Sequence, residues 1–213
     1  EFGHVLGFPD FYDTDYTGSG GQAAVPGDWD LMSSGSYLNN SATPAGLTGI
    51  ERQIANWAQP IELTTTANGL SLPAINDSAV FYKIDLGNNN EFLMLEHRRK
   101  TKWDSYIPGE GMLIYHAQQN RINNWLENGQ NNINVTPSNR GWYIVPATGN
   151  DAHTETGNAP FPGISGNMNF TNLTTPANTL MNGTPTNKPI TSIQYQNDSV
   201  ITFNFMSNLP SVK

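Results

Sequence analysis

The spacing of apolar and polar residues changes near residue 60, from short helical stretches to strands. Residues 1–7 are predicted to form the end of a helix, because Gly7 closes it and Pro9 cannot continue it. Residues 10–43 are rich in Gly, Ser, Asp and Asn with little periodicity, which is typical of an ordered loop. One amphipathic helix is then predicted, starting with Thr43 as N-cap and Pro44 at the first helical position and ending before Pro60.

After this point the pattern predicts β-strands. Residues 79–86 alternate, residues 91–96 are almost continuously apolar as in a buried strand, and residues 87–90 favour a hairpin turn between them. Further strands are expected at 111–116 and 141–146, and a second hairpin at 190–195 and 200–205. The predicted fold class is therefore α+β, with a short helical part in residues 1–60 and a mostly antiparallel β region in residues 61–213 packed on it.

Composition limits the classes of function. The 213 residues contain 10 Lys+Arg against 18 Asp+Glu, a net charge of −8, so nucleic acid and anionic membrane surfaces are poor partners. No apolar run approaches the ~18 residues needed to span a bilayer. The absence of cysteine excludes disulfides, thiolate metal sites and a cysteine nucleophile.

The first ten residues carry the most chemistry. Glu1 and His4 have the spacing of the zinc-protease pattern H-E-x-x-H, in which two histidines bind one metal and the glutamate acts on the bound water. The first histidine of the pattern would precede residue 1, and a start without Met favours a piece of a longer precursor. Gly7 and Asp10 extend the pattern at the spacing of the metzincin turn and third ligand. Taken alone, E-x-x-H is also common on helix surfaces.

Segments along most of the chain resemble the immune inhibitor A family of secreted bacterial zinc metalloproteases. They are E-F-G-H-V-L-G-F-P-D-F-Y-D at 1–13, G-D-W-D-L-M-S-S-G-S at 27–36, E-R at 51–52, N-W at 56–57, E-F-L-M-L-E-H-R at 91–98, W-D at 103–104 and P-G-E-G-M-L-I-Y-H at 108–116. The resemblance implies a truncated zincin-like catalytic subdomain in residues 1–60, attached to the β-rich region. It further implies a secreted, monomeric zinc endopeptidase acting on protein or peptide substrates, of which this fragment alone is expected to be inactive.

The family's site residues transfer only to matching positions. Glu1 takes the role of general base and acid, and His4 that of a zinc ligand. Two residues compete for the third ligand: Asp10 has the metzincin spacing, and Glu51 would be the distal glutamate of other zincins. His116, at the end of the strand 111–116, is the second catalytic candidate, with a backbone-held strand-end histidine as the alternative.

Further residues in the loop have two interpretations each. Met32 would form an apolar floor beneath the metal, or simply pack in the core. Asp13 and Asp15, with Asp10, form an oxygen-rich group that could hold calcium, and a solvated acidic turn is the equal alternative.

The β region supplies the remaining candidates. Glu96 and Arg98 are two apart on a predicted strand and share a face, which favours an internal ion-pair network. His97 and His153 are interpreted as surface residues. Three tryptophans could stack on a sugar if they shared one exposed face: Trp103, Trp125 and Trp142. They motivate the alternative function, a non-catalytic module that binds carbohydrate or protein, or a degenerate protease relative.

Overall fold

The computed structural model describes residues 1–88, 90–150 and 157–207, so His153 lies outside the described residues. The helices are α1 (Phe2–Val5), α2 (Gly49–Ile54) and α3 (Gln119–Asn128). The strands are β1 (Ile61–Glu62), β2 (Ala67–Pro73), β3 (Tyr82–Asp85), β4 (Glu91–Arg98), β5 (Gly111–Gln118), β6 (Trp142–Ile144), β7 (Ile190–Asn197) and β8 (Val200–Phe205). Within these ranges no helix is long and apolar enough to cross a membrane.

Two sheets form the strand-rich part. The larger sheet has five strands in the order β1-β3-β4-β5-β6, antiparallel except for the parallel pair β1 and β3. The smaller sheet has the order β2-β8-β7 and is antiparallel throughout. The predicted α+β class with a mostly antiparallel β region is confirmed.

The larger sheet is covered on both faces, because all eight residues of β4 and all eight of β5 are buried. On β5, Leu113 and Tyr115 point into an apolar cluster that includes Phe8 and other side chains of residues 1–60. Met112 and Ile114 point into the opposite cluster, which contains side chains of the smaller sheet. Strands buried on both faces have continuous apolar sequences, as residues 92–95 of β4 do. Residues 1–60 thus share an apolar cluster with one face of the larger sheet, and the smaller sheet packs on the other face.

The second helix is shorter than predicted. It begins after Thr48, whose backbone N–H and hydroxyl both donate to the Glu51 carboxylate, at 2.7 and 3.0 Å, in a capping box. Thr43 and Pro44 precede the helix, so their predicted capping role is wrong. The reason lies at Gly46, whose backbone N–H donates to Asp104 and whose carbonyl accepts from Arg98, which commits this stretch to tertiary contacts.

The internal ion-pair network predicted from Glu96 and Arg98 is present, and it also connects residues 1–60 to the sheet. The buried Arg98 guanidinium pairs with Glu96 at 3.0 Å and with Asp104, and also donates to the carbonyls of Trp29 and Gly46. These contacts use all five guanidinium N–H groups. The neighbouring carboxylates hold the pKa of Arg98 well above its usual value against the opposing effect of burial.

Candidate active site

The structure brings together His4, in α1, and Asp10, which follows the helix. His4 Nε2 lies 3.3 Å from Asp10 Oδ1, and both side chains are partly exposed, at 34% and 27%. The other ring nitrogen, Nδ1, is 2.9 Å from the carbonyl oxygen of Phe8, to which it donates. A histidine that ligates a metal commonly donates its second N–H to a carbonyl in this way, which fixes the ring and leaves one lone pair available. The pair therefore presents one nitrogen and one oxygen ligand side by side.

Local backbone geometry places Asp10 beside the helix. Gly7 has a φ of +93°, a left-handed conformation that ends α1 and turns the chain back. The carbonyl of Gly7 accepts from Trp125 Nε1 at 2.8 Å, and that of Asp10 accepts from Asn131 Nδ2 at 2.9 Å. These donors come from α3 and the segment after it, so a distant part of the chain fixes the candidate ligands.

The position of α3 beside the site was not predicted from the sequence. Its signals were present: Ile122 and Trp125 recur at helical spacing, and Gly129 with a φ of +66° ends the helix in the left-handed region. Its position next to residues 7–10, however, depends on contacts between residues more than 110 apart in sequence.

Met32 packs directly against α1. A Cβ added at Gly3, one residue before His4, would overlap the Met32 sulfur, so the helix approaches the methionine closely because it carries glycine there. The backbone carbonyl of Met32 also accepts from the N–H of Phe11 at 2.8 Å. Met32 therefore lies against the candidate ligand helix and is also a buried core residue, 8% exposed.

The two predicted glutamates lie in different surroundings. Glu1 is exposed at the start of α1. Glu51 is fully buried, and its carboxylate caps its own helix at Thr48. Burial, with the charge of nearby Asp30, raises the pKa of Glu51 well above its usual value. In the described part of the chain, no three His, Asp or Glu side chains come close enough together to hold a metal ion, so Glu51 does not join His4 and Asp10.

Asp13, in the loop that follows Asp10, uses its carboxylate for hydrogen bonds within the loop. Asp13 is buried, at 3% exposure, and accepts backbone N–H groups of Asp15 at 3.3 Å and Ala23 at 2.8 Å. Asp15 accepts the hydroxyl of Ser19. A solvated turn is therefore the wrong description of Asp13, whose carboxylate closes the loop by hydrogen bonding.

His116 lies away from His4 and Asp10. It shares with Met112 and Ile114 the face of β5 that is turned toward the smaller sheet. Its Nε2 is 2.8 Å from Glu91 Oε2, and its Nδ1 is 3.0 Å from the Tyr143 hydroxyl. Burial raises the pKa of Glu91, but the hydrogen bonds from His116, the Met181 backbone and Asn88, together with the charge of His116, outweigh it and leave that pKa below its usual value. The two ring nitrogens of His116 therefore hydrogen-bond to side chains and not to the backbone.

Two interpretations of the β region are corrected. His97 is fully buried beside the ring of Tyr195, so it is not a surface residue. The three tryptophans do not form one exposed face: Trp142 is fully buried and stacked on Tyr115 at 4.3 Å between ring centroids, whereas Trp103 is 59% exposed. A sugar platform built from all three is excluded.

The part of the chain that contains the His4–Asp10 pair matches a known family. Residues 1–60 match the family model of the immune inhibitor A peptidase M6 catalytic domain. Immune inhibitor A of Bacillus thuringiensis subsp. alesti is 37% identical over 71 residues, which cover 30% of this chain. The chain spans about a tenth (10%) of the length of that curated relative. The resemblance to the immune inhibitor A peptidase family is therefore confirmed, and the match to its catalytic-domain model covers residues 1–60.

Proposed function

We propose that this chain supplies the downstream part of the catalytic region of a secreted zinc endopeptidase, with His4 and Asp10 as two of the metal ligands. The observation that carries the proposal is the 3.3 Å approach of His4 Nε2 to Asp10 Oδ1 while Nδ1 is engaged by the Phe8 carbonyl. One nitrogen and one carboxylate oxygen are ligand types that zinc accepts. Asp10 is preferred over Glu51, because the Glu51 carboxylate is buried at the cap of α2.

The chain's own residues have defined roles in peptide hydrolysis. Bound zinc would supply a Lewis acid that polarises the scissile carbonyl and lowers the pKa of a water molecule. Glu1, exposed at the start of α1, would take the proton of the attacking water and pass it to the leaving amine. The Phe8 carbonyl would keep the imidazole of His4 in one orientation. The substrate would be a protein or peptide.

The test uses a version of the protein extended before Glu1 so that a histidine completes the H-E-x-x-H pattern, with a matched version carrying alanine there. Elemental analysis should find about one zinc per chain in the first version and much less in the second. Glu1→Ala should retain zinc and lose cleavage of a protein substrate. A folded extended protein without zinc would sink the proposal and favour the non-catalytic binding module.

The ligand assignment is tested separately in the extended protein. Asp10→Asn should weaken zinc binding by more than the about 10- to 100-fold that changes in outer-shell residues cause, because it removes a coordinating charge. Asp15→Asn is the matched control in the same loop and should bind zinc as the unaltered protein does. Unchanged affinity in Asp10→Asn would remove Asp10 from the ligand set.

A further inference from the structure

A cleft of about 530 Å³ opens in the loop that follows the His4–Asp10 pair. Three exposed tyrosines line it, with exposures of 37% for Tyr12, 64% for Tyr16 and 73% for Tyr37. The ring centroids of Tyr12 and Tyr16 are 6.5 Å apart, and Tyr12 stands two residues after Asp10 in the chain. Aromatic faces are therefore presented to solvent beside the candidate metal ligands.

The charges of the cleft have one sign. Asp28 lines it, is only partly buried, and has no lysine, arginine or histidine within ion-pairing distance among the described residues. None of the described lining residues carries a positive charge, and the others include Gln22, Ser33 and Ser34. Among the described residues, two cations lie over aromatic rings, Lys83 over Phe92 and Arg140 over Tyr143, and neither ring lines the cleft. The cleft thus combines exposed tyrosines with a carboxylate that forms no ion pair with any described residue.

We propose that this cleft is a specificity subsite that receives a basic side chain, arginine above all, of the protein substrate. A guanidinium is weakly hydrated and planar, so it can stack on a tyrosine ring while pairing with a carboxylate such as that of Asp28. The carboxylate supplies the charge selectivity, and the rings supply contact area. As a subsite of cleavage the inference rests on the proposed function, whereas the binding of a basic side chain can be tested without metal.

The test measures peptide binding to the 213-residue chain in metal-free buffer, by NMR titration of its backbone amides. The probes are N-acetyl-Gly-Arg-Gly-amide and the same peptide with citrulline, which keeps the shape of arginine and lacks its charge. One cation–π contact and one exposed ion pair together predict about 3- to 30-fold tighter binding of the arginine peptide. The shifted amides should map to the cleft, and the preference should decrease at high salt.

Matched variants decide whether the cleft is responsible. Asp28→Asn and Tyr37→Ser should each remove most of the preference for arginine over citrulline. Tyr106→Ser, at another exposed tyrosine, and Asp198→Asn, at the turn between β7 and β8, should leave it unchanged. Equal binding of the two peptides, or a preference that survives both cleft variants, would overturn the inference.

The result is separable from that of the zinc experiment. Arginine-selective binding together with an extended protein that holds no zinc would keep the cleft as a cation site and reject the endopeptidase. Zinc-dependent cleavage without arginine selectivity would keep the endopeptidase and reject the subsite.

Discussion

Substitution of Arg98 should lower the stability of the whole molecule. Its guanidinium is fully buried and neutralises the buried carboxylates of Glu96 and Asp104. Arg98→Met would leave both carboxylates without their partner, and we expect the free energy of unfolding to fall by about 3–5 kcal/mol. Urea denaturation followed by far-UV circular dichroism measures this change.

The control for Arg98 is the exposed pair of Lys102 and Asp77, whose charged atoms are 2.8 Å apart with side chains 59% and 36% exposed. Solvent screens this pair, so Lys102→Met should cost no more than about 1 kcal/mol. Comparable losses in the two variants would contradict the importance assigned to burial.

His97 predicts how stability depends on acid. Burial lowers the pKa of His97 from 6.5 to about 4, so the folded chain holds this ring neutral while the unfolded chain protonates it below pH 6.5. The unfolded state then binds more protons, and stability falls by about 3 kcal/mol as the pH decreases from 6.5 to 4.

A His97→Leu variant isolates this contribution, because other groups also titrate in the same range. Denaturation midpoints measured between pH 4 and 7 should show a weaker pH dependence in His97→Leu than in the unaltered chain. Parallel curves for the two proteins would mean that His97 titrates normally in the folded state.

Among the elements, α2 tests how tertiary contacts select a helix start. Thr48 forms the observed capping box, whereas Thr43 was predicted as the N-cap and instead accepts from Asn39 Nδ2 at 2.9 Å. Thr48→Ala should lower the free energy of unfolding by about 1 kcal/mol, within the range for a lost cap. Thr43→Ala should cost clearly less in the same denaturation experiment, and the reverse order would favour the helix start predicted from sequence.

The elements that sequence predicts well are those whose pattern is set by burial alone. The β4 and β5 strands and the hairpin of β7 and β8 follow directly from apolar runs and alternation. The start of α2 was predicted wrongly because the Gly46 backbone hydrogen-bonds to Asp104 and Arg98, which are more than 50 residues away in sequence. No local rule contains such a contact.

The candidate site divides in the same way. The pairing of His4 with Asp10 follows from a short motif in which helix, glycine turn and ligand are consecutive. The Asn131 amide that holds the Asp10 backbone, and the placement of His116 toward the smaller sheet, depend on how the whole chain packs. Those features require a structure.

For the whole molecule, the central sheet joins two apolar clusters that together should unfold as one unit. Phe8 lies in the cluster shared with residues 1–60, and Phe203 in the cluster shared with the smaller sheet, and both are buried. Phe8→Ala and Phe203→Ala should each cost about 3–5 kcal/mol of unfolding free energy. Because β4 and β5 contribute side chains to both clusters, each variant should lower the midpoint of a single unfolding transition, and tryptophan fluorescence and circular dichroism should report the same midpoint.

Leu173→Ala, at a side chain 97% exposed, is the control and should change stability by no more than about 0.5 kcal/mol. Two separate transitions in either phenylalanine variant would show that the faces of the sheet fold independently.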